Sequence, residues 1–178
     1  NTAGPSVVLA GTIAGNFVTS VIADNTTGST SVQKINTSAW TFQGTSTYSG
    51  GTSVAGGTLL INNSSGSGVG KGDVSVAGGL IGGTGTIGAT TDASNITMTA
   101  AGGHVAPGAS GTGTLTVNGN VTLNAAGAFD INIASTSSNE MLTVNSVTGG
   151  GGGDSANGDV TLAGATLNLT LGFTPTAG

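Results

Sequence analysis

The chain of 178 residues carries one histidine, seven acids and two lysines, and any acid–base chemistry must be assembled from these few groups. Asp92, His104 and Ser110 are the ingredients for a Ser-His-Asp triad. Nucleophilic catalysis needs such groups within hydrogen-bond reach and beside an oxyanion hole. His104 and Ser110 lie in a His-Val-Ala-Pro-Gly-Ala-Ser run, where Pro107-Gly108 is accounted for more simply as a turn. A glycosidase needs two carboxyls held roughly 5–9.5 Å apart. Asp154 and Asp159 are the nearest pair in sequence, but a run of glycines would not hold them rigidly. Action on acidic polysaccharides needs cations to neutralise substrate carboxylates, and Lys34 and Lys71 are too few and too far apart. No catalytic residues are expected, and the chain is read as non-enzymatic.

Cofactor and metal motifs fare no better. Gly83-x-Gly85-x-x-Gly88 matches the dinucleotide fingerprint in letters. That chemistry requires a helix N-terminus after the glycines, and Ala-Thr-Thr-Asp-Ala-Ser-Asn does not start one. Corner glycines explain the match, and no cofactor is expected. Gly149 to Asp154 fits the opening of a calcium-binding glycine-rich nonapeptide, which works only in tandem copies. With a single copy, Asp154, Asn157 and Asp159 remain as a candidate for a weak calcium site, the alternative being a loop leaving the fold. Trp40 and Phe42 alternate around Thr41 and so point to one face, the core. Tyr48, at a corner, is the better exposed aromatic and the candidate ligand contact. Thr-x-Thr pairs at 45–47, 84–86, 97–99, 112–114 and 114–116 raise the idea of an ice-binding face, but their spacing is irregular.

Composition explains why chemistry is so sparse. There are 35 Gly, 30 Thr, 19 Ser and 15 Asn, and only 5% of residues are charged, against about 25% in ordinary domains. Two lysines cannot build a basic patch, which excludes nucleic-acid binding. A net charge of −5 with 39 Leu, Ile, Val and Phe residues is also unlike a disordered chain. Cysteine is absent, which excludes thiolate metal sites and disulfide scaffolds. No run reaches the ~18 apolar residues of a membrane helix, so this segment is not expected to insert.

The elements that must position these residues are short strands. Runs such as Val7-Val8-Leu9, Phe17 to Ile22, Trp40-Thr41-Phe42, Thr58 to Ile61, Val74-Ser75-Val76 and Leu115-Thr116-Val117 alternate apolar and polar residues between glycines. Helical spacing is missing throughout. The runs repeat: Gly-Asp-Val-Ser-Val-Ala-Gly at 72–78 returns as Gly-Asp-Val-Thr-Leu-Ala-Gly at 158–164, and nearly so at 119–125. Val-Ala-Gly-Gly recurs after 22 residues (54 and 76), and Leu-Thr-Val-Asn after 27 (115 and 142). Loose periods in the twenties indicate stacked coils, the pattern of a β-solenoid. The inward set is expected to comprise Trp40, Phe42, Val54, Leu59, Ile61, Val74, Val76, Leu115, Val117, Val121, Leu123, Phe129, Ile131, Ile133, Leu142, Val144, Val160, Leu162, Leu167, Leu169 and Leu171.

Trp40 to Asn62, WTFQGTSTYSGGTSVAGGTLLIN, resembles the autotransporter-associated β-strand repeat. Gly78 to Gly88 and His104 to Asn124 are similar to the segments that follow it in such proteins. The resemblance covers about residues 40–171 and implies an all-β, right-handed parallel β-helix, exported and held at a bacterial cell surface. Residues 1–39 read as N-terminal β coils or a linker, and 40–178 as solenoid from a longer chain. The expected role is structural: a segment of a surface stalk, adhesin or extracellular fibre whose partners are itself or adjoining repeats. A binding module for a glycan or another cell is the alternative, and a β-helix enzyme on polysaccharide comes third.

Overall fold

The computed structural model describes residues 4–100, 102–108, 112–147 and 157–174. Among them no helix occurs, and short strands wind into a parallel β-solenoid of about six turns. The first coil contributes β1 (Ser6–Leu9) and β2 (Asn16–Val18), the second β3 (Ser31–Lys34) and β4 (Ala39–Phe42), the third β5 (Thr52–Val54) and β6 (Thr58–Ile61). Three strands per coil follow: β7 (Val74–Val76), β8 (Gly79–Gly83) and β9 (Thr86–Ile87), then β10 (Ile96–Met98), β11 (Gly103–Pro107) and β12 (Gly113–Asn118), then β13 (Val121–Leu123), β14 (Ala128–Ile133) and β15 (Glu140–Asn145). β16 (Val160–Leu162) and β17 (Thr166–Leu171) form the last described coil.

Each position in a coil stacks on its equivalent in the next. The first sheet runs β1-β3-β5-β7-β10-β13-β16, the second β2-β4-β6-β8-β11-β14-β17, and the third β9-β12-β15. All strand pairs in the three sheets are parallel. The 22-residue repeat is the register of Val54 on Val76, and the 27-residue repeat that of Leu115 on Leu142. The three copies of the Gly-Asp/Asn-Val motif all start strands of the first sheet, with Val74, Val121 and Val160 in one column.

Side-chain columns follow from that register. Val7, Val32, Thr52, Val74, Ile96, Val121 and Val160 point inward from the first sheet. Trp40, Leu59, Ile81, Val105, Phe129 and Leu167 do so from the second. Of the expected inward set, Phe42, Val54, Leu59, Ile61, Val74, Val76, Leu115, Val117, Val121 and Leu123 are buried, while Trp40, Phe129, Leu142 and Val144 pack against them half-buried. Ile131 and Ile133 are half-buried. Val160, Leu162, Leu167, Leu169 and Leu171 are exposed, contrary to expectation. They occupy inward columns, but no described coil lies over them.

The first sheet's outward column, Val8, Gln33, Ser53, Ser75, Thr97, Thr122 and Thr161, is almost wholly polar. Thr and Ser suit it because they keep an extended backbone while offering hydroxyls to water. Lys34 breaks the pattern. Its column neighbours are Leu9 and Val54, and the side chain is fully buried. The ammonium donates to the carbonyls of Ile35 (2.7 Å), Gly56 (2.9 Å) and Asn36 (3.2 Å), so the charge enters the core with its hydrogen bonds made.

Candidate functional site

The dispersed candidates do not assemble among the described residues. Asp92 pairs with Lys71 at 3.5 Å and not with His104. His104, on the outward face of β11, instead meets Asp130 of β14, Nδ1 to Oδ2 at 2.7 Å. The two sit diagonally, because His104 stacks on Ala128, two residues before Asp130. Asn168 donates to the other oxygen of Asp130 at 2.6 Å. Ser110 lies outside the described residues, so the arrangement that they do show is an Asp-His pair without a nucleophile.

The glycine motif at 83–88 is a corner. Gly83 closes β8 with φ 113°, Gly88 has φ 77°, and an Ala89–Asp92 bridge follows where a nucleotide site would need a helix. Asp154 lies outside the described residues. Asn157 is exposed, and the backbone amides of Gly158 and Asp159 donate to Asn120 Oδ1 at 3.0 and 2.9 Å. Tyr48 requires a correction. The corner position suggested exposure, but the ring is fully buried and its hydroxyl meets Thr52 Oγ1 at 2.6 Å. Burial pushes the phenol above its usual range. A side chain so enclosed offers no surface to a ligand; the corner folds inward and uses Tyr48 as filling. Of the Thr-x-Thr pairs, those at 84–86 and 114–116 meet in the third sheet through Thr86 and Thr116. Single threonines stack there, Thr86 on Thr116 on Thr143.

What recurs from coil to coil is a column of Asp and Asn at the corner entering the first sheet. Asp73 Oδ1 accepts from the Asn95 amide (2.9 Å), Asn95 Oδ1 from that of Asn120 (2.8 Å), and Asn120 Oδ1 from that of Asp159 (2.9 Å). Each side chain thus satisfies the backbone of the following coil at a bend where strand pairing cannot. Asn118 and Asn145 form a second rung, Nδ2 of Asn145 donating to Oδ1 of Asn118 at 2.9 Å. Sequence reading noted the repeated Gly-Asp/Asn-Val motif without seeing that its polar residue links coils.

Near the first coil, Asp24 plays a related part. Its carboxylate accepts from the Thr30 amide (2.7 Å), the Ser49 amide (2.9 Å) and Ser49 Oγ (2.7 Å). The hydrogen bonds from Ser49 and Thr30 hold it below the usual carboxylate range. The bonds from Ser49 tie the 24–30 turn to the following coil.

No family model matches this chain, and neither a curated protein nor a solved structure does. What can interact is therefore read from the surface itself. The last described coil presents Val160, Leu162, Leu167, Leu169 and Leu171 at 46–61% exposure, directly in line with columns whose middle members are fully buried. These aliphatic side chains lie on β16 and β17, strands over which no other described strand is laid. Among the described residues no helix is long and apolar enough to cross a membrane, which leaves strand-built barrels aside.

Proposed function

We propose that this chain is a structural segment of an exported bacterial surface stalk, adhesin or extracellular fibre, and that it works by coil stacking. The observation that carries the reading is the unbroken register of seven parallel strands in each of two sheets. Each coil offers the next a largely apolar column, and from β7 onward an Asp or Asn acceptor at the corner. In such a quasi-one-dimensional fold, length and stiffness come from nearest-neighbour interfaces and not from a reaction centre. The Trp40 to Asn62 segment supports the autotransporter-type repeat and hence the surface location. The partners in this reading are adjoining coils, from the same polypeptide or from another copy laid over the aliphatic edge at β16 and β17. Catalysis forms no part of it.

Small-angle scattering and sedimentation of the 178-residue chain over a concentration series test the reading. A rod-shaped particle whose mass rises with concentration, and whose association is lost in Leu167→Asp/Leu169→Asp, is expected. A compact monomer at every concentration, with no response to those substitutions, would overturn self-association. Antibody labelling of intact source cells tests the location, and staining only after lysis would defeat it.

A further inference from the structure

Seven asparagines head an Asn-x-Ser/Thr triplet with no proline in the middle: Asn25, Asn36, Asn62, Asn63, Asn95, Asn120 and Asn168. Such a triplet is an acceptor for N-linked sugars, and its side-chain amide nitrogen is the atom that must be free to react. The fold withdraws six of the seven. Asn63 is buried, and its Nδ2 donates to the carbonyls of Ser65 and Gly66. Asn95 donates from Nδ2 to Asp73, and Asn168 to Asp130. Asn62 and Asn120 are half-buried and hold the following coil, their Oδ1 atoms accepting from the amides of Thr84 and Asp159. Asn36 is exposed, but the hydroxyl two residues on, that of Ser38, is sealed in the interior.

Asn25 differs in each respect. With Thr26 and Thr27 it forms the exposed tip of the turn between β2 and β3, closed by an antiparallel bridge from Asn25 to Gly28. Its Oδ1 accepts from the Thr27 amide at 3.1 Å and from Thr27 Oγ1 at 3.3 Å. A backbone N–H can only donate, so the atom that it meets is the oxygen and the other end of the carboxamide is the NH2 group. That nitrogen has no hydrogen-bond partner among the described residues. The turn is anchored without it, through the bonds of Asp24 to Thr30 and Ser49. Asn25 therefore holds no other coil, and a group attached to Nδ2 displaces only water.

From this contrast we propose that Asn25 is a site of N-linked glycosylation and that the 24–30 turn is the segment a glycosyltransferase engages. The donor is a diphosphate-activated sugar. Nδ2 forms a bond to its anomeric carbon, and the bond from that carbon to phosphate breaks. The diphosphate leaves with its carrier, a nucleotide or a lipid, and the amide proton passes to a base of the transferase. Thr27 is the positioning residue: its amide and hydroxyl hold Oδ1 and so fix which end of the carboxamide faces the donor. The inference does not rest on the stalk reading, since a solenoid can be rigid without a sugar.

The test is peptide mapping, by mass spectrometry with fragmentation that preserves the sugar linkage, of the protein purified from its source cells. Sugar on Asn25 is expected, with the other six asparagines bare. Forms differing by single sugars mark a nucleotide carrier, and one full-length glycan marks a lipid carrier. Asn25→Gln should abolish the modification, and Thr27→Ala should lower its occupancy about tenfold, with Thr27→Ser restoring part of it. Thr26→Ala, at the middle of the triplet, should leave occupancy unchanged. Thermal midpoints equal to that of the parent show that the variants fold. A bare Asn25 in the parent, sugar on Asn63, Asn95 or Asn120 in its place, or full occupancy in Thr27→Ala would each overturn the inference. None of these outcomes bears on whether the chain forms a rod.

Discussion

The motif Gly-Asp-Val-x-x-Ala-Gly occurs at 72–78 and again at 158–164, and its two copies have opposite fates. Val74 and Val76 are completely buried, whereas Val160 and Leu162 are 47% and 55% exposed. The strands are equivalent, β7 and β16 lying in the same sheet with Ile96 and Val121 stacked between their first residues. The difference is the coil above: β7 is covered by β10, and no described strand covers β16. In this fold burial is therefore a property of the interface and not of the strand. A sequence pattern specifies which residues face inward, and only a neighbour makes that face a core.

Mutation should separate the two regions sharply. Ile61→Ala, in the covered middle, is expected to cost about 2–5 kcal/mol, the usual range for emptying a fully buried aliphatic site. Leu162→Ala should change the stability of the isolated chain by about 0.5 kcal/mol or less, as substitutions at exposed sites do. Urea denaturation at low protein concentration measures both. Equal losses would mean that something covers the last coil. At concentrations where the chain associates, Leu162→Ala should become costly and Ile61→Ala should not change, which sharpens the contrast.

Lys34 tests whether the middle is simply apolar. Lys34→Met keeps the length of the side chain and its place between Leu9 and Val54 but leaves the carbonyls of Ile35 and Asn36 at the β3–β4 corner, and of Gly56 at the β5–β6 corner, without their donor. A loss of about 1–3 kcal/mol is expected from unsatisfied buried acceptors. If the variant is as stable as the parent or more so, the column wants only hydrophobic filling and the ammonium is incidental. The corresponding change at the uncovered edge, Leu162→Lys, should be nearly neutral, since an exposed ammonium keeps its water.

Much of this was legible in the sequence, and the failures have physical causes. Alternation around Thr41, Ser75 and Thr116 assigns faces correctly because each central residue is polar and its neighbours are buried or, for Trp40, half-buried against the core. The spacings 54 to 76 and 115 to 142 are actual stacking registers. β3 was invisible because Lys34 stands where the alternation demands a hydrophobe, and β8 because Gly-Leu-Ile-Gly-Gly looks like a corner. Tyr48 was misplaced because composition at a bend cannot tell an inward ring from an outward one. The His104–Asp130 pair joins residues 26 apart, and only the register of β11 on β14 brings them together. The exposed final coil was missed because pattern reports direction and not cover.

Titration extends the comparison to the lower half of the solenoid. Tyr48 is enclosed between coils, and its pKa is raised by burial, so the unfolded state loses its proton first as pH rises. Its contribution is fully present below the unfolded value of about 10 and is lost as pH climbs from there toward the folded value. Stability should fall in that window by up to about 1.4 kcal/mol per pH unit. Tyr48→Phe should flatten the alkaline limb while giving up the Thr52 hydrogen bond at neutral pH. An unchanged limb in that variant would assign the loss to another group.

The smallest effect is expected at Asp24, where the clamp is exposed and solvent screens it. Its pKa is lowered chiefly by hydrogen bonds from Ser49, with Thr30 adding to them. The native state therefore binds the proton less readily than the unfolded chain. By linkage, the stabilisation is present above the unfolded value of about 3.8 and is lost as pH falls through it toward the lower folded value. Because only the Thr30 and Ser49 amides depend on this carboxylate, the loss should be local. The turn at 24–30 loosens from the Ser49 corner while the columns above hold. Amide protection measured residue by residue is the suitable probe. Protection at Thr30 and Ser49 should decline as the pH drops through that window, while Val54 and Ile61, deep in the covered middle, keep theirs. In Asp24→Ala the two amides should be poorly protected already at neutral pH and show no further decline. If acid released Val54 together with Thr30, coils would melt as one unit, and the distinction between a loosely held end and a covered middle would not extend to this side of the solenoid.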